Sequence, residues 1–212
     1  MPERGILITF EGLDGSGKTT QMRRLAGRLR SEGRAVLETV EPGGTRIGKQ
    51  VRRILLDPAN HDLTPTAELL LYFACRAQNV EELILPALAR GEIVLCDRFT
   101  DSTLAYQGCA RELGAENVRQ LDRVACQGLS PGLTLLLDID PEASLARARR
   151  RNSEDSPEEG RFEEQDMEFF RKVRRAYQEI AAREPERVRV IDGRAAPEAV
   201  EQAIWQVVRS HV

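Results

Sequence analysis

An α/β fold, with a five-stranded parallel sheet and helices on both faces, is predicted by three features of this 212-residue chain. Short apolar runs of strand length recur between longer amphipathic stretches, the first run leads directly into a glycine-rich loop, and that loop opens a helical pattern. The runs are apolar throughout rather than alternating, as expected for strands covered on both faces.

In order, strands are expected at Gly5–Phe10, Ala35–Val40, Ile93–Cys96, Thr134–Asp138 and Val188–Ile191. Helices are expected near Thr19–Ser31, Arg46–Leu56, Thr66–Arg90, Ser102–Leu113, Glu116–Gln127, Pro141–Arg151, Glu163–Arg183 and Pro197–Ser210. Pro86 should bend or shorten the third helix, because it lacks an N–H and crowds the preceding turn. Asn152–Gly160 has no large apolar residue and is rich in charge and turn formers, so it reads as a mobile surface loop. In sheets of this kind ligands gather at the carboxyl ends of the strands, which draws attention to the loops after Phe10, Val40, Cys96, Asp138 and Ile191.

Composition narrows the class. The length favours one domain, residues 1–212, and 41% hydrophobic with 31% charged residues is a soluble globular profile. There is no run of about 18 apolar residues, which argues against a transmembrane helix. Met1-Pro-Glu-Arg leads at once into a strand pattern without the apolar segment of a secretory signal, so a cytoplasmic location is expected. Cys75, Cys96, Cys109 and Cys126 are widely spaced, form no Cys-x-x-Cys pair, and read as small buried hydrophobes. A formal net charge of -3 gives no general attraction to nucleic acid polymers or anionic membranes.

The chemistry starts at Gly12-Leu-Asp-Gly15-Ser16-Gly17-Lys18-Thr19-Thr20, between the first strand and first helix. Glycines let such a loop turn its amides inward, so that N–H donors and the positive helix end surround a phosphate. Lys18 is placed to reach the β and γ phosphates of a nucleoside triphosphate, and Thr19 to offer its hydroxyl to Mg²⁺. Glu41-Pro42-Gly-Gly-Thr45 is a loop whose glycines allow close approach to a ligand. Asp97 ends an apolar strand, where a Mg²⁺-associated carboxylate is found in phosphate-loop enzymes, and Arg98 offers a planar fork for a second phosphate. These features together define a P-loop NTPase fold, here with a lid at about residues 147–161.

Glu41–Thr45, Phe73-Ala-Cys-Arg76 and above all Asp97-Arg-Phe-Thr-Asp-Ser102-Thr-Leu-Ala-Tyr106-Gln107-Gly108 resemble the motif set of the thymidylate kinases. The resemblance implies phosphorylation of dTMP to dTDP with ATP and Mg²⁺, in dTTP synthesis, and a homodimer with Thr66–Arg90 and Ser102–Leu113 as interface helices. It implies that Phe73 stacks on thymine and Arg76 bonds its edge, and that Arg98 holds the dTMP phosphate. Ser102, Tyr106 and Gln107 would line the base and deoxyribose, with Glu41 and Pro42 beside the substrate, while Asp14 would meet the sugar 3′-hydroxyl and phosphate region. The loop has Gly15 and Ser16 where some members carry an arginine, so the resemblance is to the bacterial type with arginines in the lid. Arg147, Arg149, Arg150, Arg151 and Arg161 flank the lid, and Arg151 and Arg161 are expected to stabilise the transferring phosphoryl group. Arg194, after the last strand, is expected beside adenine. The chain departs from the family pattern at Gly160 and Cys75, where an acidic residue is common. Other readings are a kinase for another nucleoside monophosphate or a deoxynucleoside, or a nucleotide-dependent switch protein. A GTP switch would carry an Asn-Lys-x-Asp motif, and neither Lys49 nor Lys172 follows an asparagine.

Overall fold

The computed structural model describes residues 5–155, 161–162 and 165–212. Its strands β1 (Leu7–Glu11), β2 (Val36–Val40), β3 (Ile93–Asp97), β4 (Leu133–Asp138) and β5 (Val188–Asp192) form one parallel sheet in the order β2-β3-β1-β4-β5. β1 is central, with Phe10 in register with Asp97 on one side and Leu135 on the other. The glycine loop therefore leaves the middle of the sheet.

Successive side chains on a strand point to opposite faces, and the core divides accordingly. Ile8, Phe10, Leu133, Leu135 and Leu137 pack on one face with Met22, Leu25 and Leu29 of α1 (Lys18–Ser31) and Ile204 of α9 (Pro197–Val208). On the other face Leu136 meets Phe169, Phe170, Val173 and Tyr177 of α8 (Met167–Arg183), while Leu7, Val94 and Cys96 meet Val80, Ile84 and Leu88. The helices start where caps allow. Thr45 accepts the Gly48 N–H at the head of α2 (Arg46–Leu56), and Thr64 with Pro65 opens α3 (Pro65–Asn79). α1 follows Gly17 with no side-chain cap, which leaves its first N–H groups open to a ligand.

Several expected elements are redrawn by local chemistry. The long third helix is in three pieces, α3, a π-helical turn at Val80–Ile84, and α4 (Leu85–Ala89), with Pro86, which has no N–H to continue the ladder, just after the wider turn. The stretch after Asp97 is α5 (Thr100–Thr103) followed by a second π-helical segment, Leu104–Ala110, whose wide spacing shows in the Arg111 N–H donating to the Tyr106 carbonyl at 2.8 Å. α6 (Ala115–Ala125) precedes β4. α7 (Pro141–Asp155) continues through Asn152–Asp155, which were expected in a mobile loop; the remainder of that loop, 156–160, lies outside the described residues. α8 begins at Met167 rather than Glu163 because the Asp166 carboxylate accepts the Phe169 N–H. Among the described residues no helix is long and apolar enough to cross a membrane.

Leu135 on β4, beside the central strand, is fully buried, whereas Val190 on the edge strand is 55% exposed. Leu135→Ala should lower unfolding stability in urea by about 2–5 kcal/mol, and Val190→Ala by no more than about 0.5 kcal/mol.

Candidate active site

A cleft of about 1050 Å³ opens at the carboxyl ends of β1, β2 and β3. Its floor is the glycine loop. Gly12, Gly15 and Gly17 all have positive φ, and a Cβ on Gly12 would run into the Leu137 carbonyl of the neighbouring strand. That backbone path turns the loop over the start of α1. Ser16 Oγ is buried with no hydrogen-bond partner among the described residues, a vacancy that a phosphate oxygen would fill. Lys18 donates to the carbonyls of Gly12 (3.0 Å) and Leu13 (2.8 Å), so its ammonium is held against the loop it would share with an anion. Burial, and then Arg98, push the Lys18 ammonium down to about 8. Thr19 Oγ1 donates to Asp97 Oδ2 at 2.5 Å across the β1–β3 junction. A hydroxyl and a carboxylate facing the cleft are hard oxygen donors of the kind Mg²⁺ takes alongside phosphates.

The opposite wall is organised by Arg98. Its backbone is left-handed at φ 70°, a conformation that costs a non-glycine residue of order 1 kcal/mol and is kept where the surroundings enforce it. Here the Arg98 N–H is held on the Phe10 carbonyl at 2.9 Å. The guanidinium, largely buried, donates from Nη2 to Asp14 (2.7 Å) and from Nη1 to Ser102 (3.0 Å) and Tyr177 (3.2 Å). Burial works against that charge and is outweighed by Asp14, so the group stays protonated. Asp14 and Arg98, expected separately in the sequence, are one ion pair between the two halves of the cleft.

Sequence reasoning missed Glu11. It ends β1 immediately before the glycine loop, fully buried, and accepts the Phe99 N–H (2.7 Å), the Ser102 hydroxyl (2.5 Å) and the Tyr177 hydroxyl (3.2 Å). Burial and then Asp101 push its carboxyl up to about 7. The available signal was a carboxylate continuing an apolar central strand.

Most of the expected site residues do converge. Asp14, Gly15, Gly17, Lys18, Thr19, Thr20, Glu41, Pro42, Asp97, Arg98, Ser102, Tyr106 and Gln107 line the cleft. Arg76 is buried beneath it, paired with Glu41 at 2.6 Å and with Thr103 at 3.0 Å, and its Nη1 has no partner among the described residues. Phe73 does not face the cleft: it packs with Leu69, Val118 and Ala125, because a helix turns adjacent residues about 100° apart. Tyr72, one position earlier and four before Arg76, lines the cleft instead. Arg161 is also elsewhere, buried against Glu68 at 2.6 Å, and of the arginines expected in a lid Arg147 and Arg150 line the cleft wall. The side chain of Arg151 lies outside the described residues. Arg194 is exposed and paired with Asp192 at 2.8 Å, away from the cleft lining, although Gly193 beside it packs near the Ser16 carbonyl.

A parallel sheet in this order, with a glycine loop after its central strand and an aspartate across from the loop's threonine, defines a phosphate-loop nucleotide-binding protein. Within that class the chain belongs to the thymidylate kinase family, whose profile matches residues 10–204. It is 53% identical over 199 residues to "Thymidylate kinase" of Syntrophotalea carbinolica, covering 93% of this chain and 92% of that one. Against "Thymidylate kinase" of Deinococcus radiodurans the identity is 48%, covering 97% of each chain. The crystal structure of thymidylate kinase from Ehrlichia chaffeensis is 33% identical, covers 97% of this chain and 99% of that chain, and superposes with a TM-score of 0.80.

Lys18 is charged below its depressed pKa and neutral above it. Affinity for a nucleoside triphosphate, followed by calorimetry, should therefore weaken as pH rises through about 8. Lys18→Met should lower affinity and remove that pH step while leaving the circular dichroism unchanged.

Proposed function

We propose that this chain transfers the γ-phosphoryl group of ATP to dTMP, giving dTDP and ADP. The observation that carries the reading is that one cleft holds both a phosphate loop and, across the Asp14–Arg98 pair, a second chamber with donors suited to a planar base and its phosphate. The donor half is Gly12–Thr20, with Lys18 on the β and γ phosphates and the Ser16 hydroxyl on a phosphate oxygen. Thr19 and Asp97 would hold Mg²⁺, which when bound neutralises charge on the phosphates. Arg98 would take the dTMP phosphate in its fork, leaving Asp14 to the sugar hydroxyl.

In the acceptor half Tyr72, rather than Phe73, would stack on thymine. The unpartnered Nη1 of Arg76, held in place by Glu41, would donate to the base edge, with Ser102, Tyr106 and Gln107 closing the chamber. A monophosphate oxygen is already an anionic nucleophile, so the chemistry is positioning and charge stabilisation. Arg147 and Arg150 are the lid groups best placed to meet developing charge, and Arg151 follows them on the same helix. The adenine would rest near Gly193 and the base of α7, where Arg147 donates to the Gly193 carbonyl at 3.4 Å, with Arg194 at the rim.

We also propose a cytoplasmic homodimer formed through α2, α3 and α6 rather than through the Ser102–Leu113 stretch. Ala105, Tyr106, Gln107 and Gly108 in that stretch are buried in the subunit itself. Ile47, Ile54, Leu70 and Val124 stand exposed on α2, α3 and α6, and α3 packs against both of the others.

Coupled-assay turnover at fixed ATP-Mg²⁺ should be highest with dTMP among dTMP, dUMP, dCMP and dGMP; a preference for another acceptor would defeat this assignment. Tyr72→Ala should raise KM for dTMP by about 5- to 150-fold, the loss of one base-stacking contact of about 1–3 kcal/mol. Phe73→Ala should instead lower unfolding stability by about 3–5 kcal/mol, as removal of a core ring does.

A further inference from the structure

Glu68 of α3 is fully buried and faces three donor side chains at once. It accepts hydrogen bonds from Gln107 Nε2 at 2.8 Å and Arg161 Nη2 at 2.6 Å, with Arg111 Nη2 further off at 3.3 Å. Arg161 itself is tied down on a second side, since its Nε donates to the Leu55 carbonyl at 2.5 Å and its N–H to the Leu56 carbonyl at 3.2 Å. These are among the last carbonyls of α2, which have no partner within the helix. The next residue, Phe162, is thereby held on the cleft wall, where its ring meets Tyr106 edge-on at 5.7 Å.

We propose that Glu68 is a positioning residue of the acceptor chamber and that Arg161 acts through it. The ion pair latches Arg161 and Phe162 onto α2 and α3, so that Phe162 and Gln107 are presented as two fixed walls around the acceptor. Arg161 is therefore no phosphoryl-contacting group: swinging its guanidinium into the cleft would take the nearest cation from a buried carboxylate and uncap the Leu55 carbonyl. This inference rests on reading that chamber as the dTMP site, and it assigns to Glu68 a role in acceptor affinity at a distance from the acceptor.

The test is a double-mutant cycle of Glu68→Gln and Arg161→Met, with KM and kcat for dTMP, KM for ATP and thermal midpoint measured for each protein. Each single change should raise KM for dTMP by roughly tenfold with kcat within about threefold, and the double variant should be no worse than the poorer single, because the two residues form one coupled unit. A loss of about 10³-fold or more in kcat on Arg161→Met, at unchanged KM for dTMP and repeated in the Glu68→Gln background, would make Arg161 a phosphoryl-contacting arginine and overturn the proposal. Where Glu68→Gln does not fold, the KM-against-kcat split of Arg161→Met decides alone. The latch is also read without substrate: in a Phe162→Trp protein, Glu68→Gln should shift the added tryptophan emission to the red as the ring leaves its packed position, and an unchanged spectrum would refute it. Failure of wild-type dTMP turnover beside an intact spectral response would sink the acceptor assignment and leave the latch standing.

Discussion

Phe10 and Asp97 lie side by side at the carboxyl ends of β1 and β3, so the chain leaving β3 has to turn directly over the phosphate loop. It does so at Arg98, with a left-handed backbone pinned to the Phe10 carbonyl, and this turn aims the guanidinium back at Asp14. That contact ties the phosphate loop to the opposite wall of the cleft. Ser102 and Tyr106 are oriented around the same guanidinium, Tyr106 with its ring 5.1 Å beneath it, and Thr19 and Asp97 meet one residue away. A positive group fixed between the proposed donor and acceptor sites is preorganised for a reaction in which charge moves between two phosphates.

Beneath this arrangement lie the three buried glutamates among the described residues, and each supports a different part of the wall. Glu11 holds the backbone at Phe99 and the hydroxyls of Ser102 and Tyr177; Glu41 holds Arg76 and Asn79; Glu68 holds Gln107 and Arg161. Burying a carboxylate is costly, and removing one partner of a buried ion pair typically costs about 3–5 kcal/mol, while replacing the whole pair by apolar groups is often neutral. Each glutamate fixes a side chain that an apolar residue of the same volume would leave free to choose another rotamer.

Much of this was legible along the chain because it is local. The glycine loop needs only its neighbours to be recognised, and the apolar runs locate all five strands to within two residues at each end, since a strand covered on both faces has to be apolar throughout. The structure departs from the Phe73 expectation at the scale of one residue. Both Tyr72 and Phe73 are aromatic on an apolar helix, and which of them faces the cleft depends on the rotation of α3 about its axis, set by packing against α2 and α6. The placement of Arg161 was hidden from the sequence for a different reason. Its sequence neighbours suggested a solvent-facing lid, and nothing local announces that Glu68, 93 positions earlier, waits to bury it.

Taken alone, the sequence determined the fold class, the strand and helix order, the phosphate loop and the set of residues from which the cleft is built, because period, turn chemistry and short motifs act over a few neighbouring residues. Only the tertiary structure decided which of those residues touch. It brought Asp14 to Arg98, turned Tyr72 inward and Phe73 away, and moved Glu11 and Glu68 from unremarked acids to supports of the site. The physical reason is that burial of a charge is meaningful only with its partner, and these partners come from strands and helices distant in the chain.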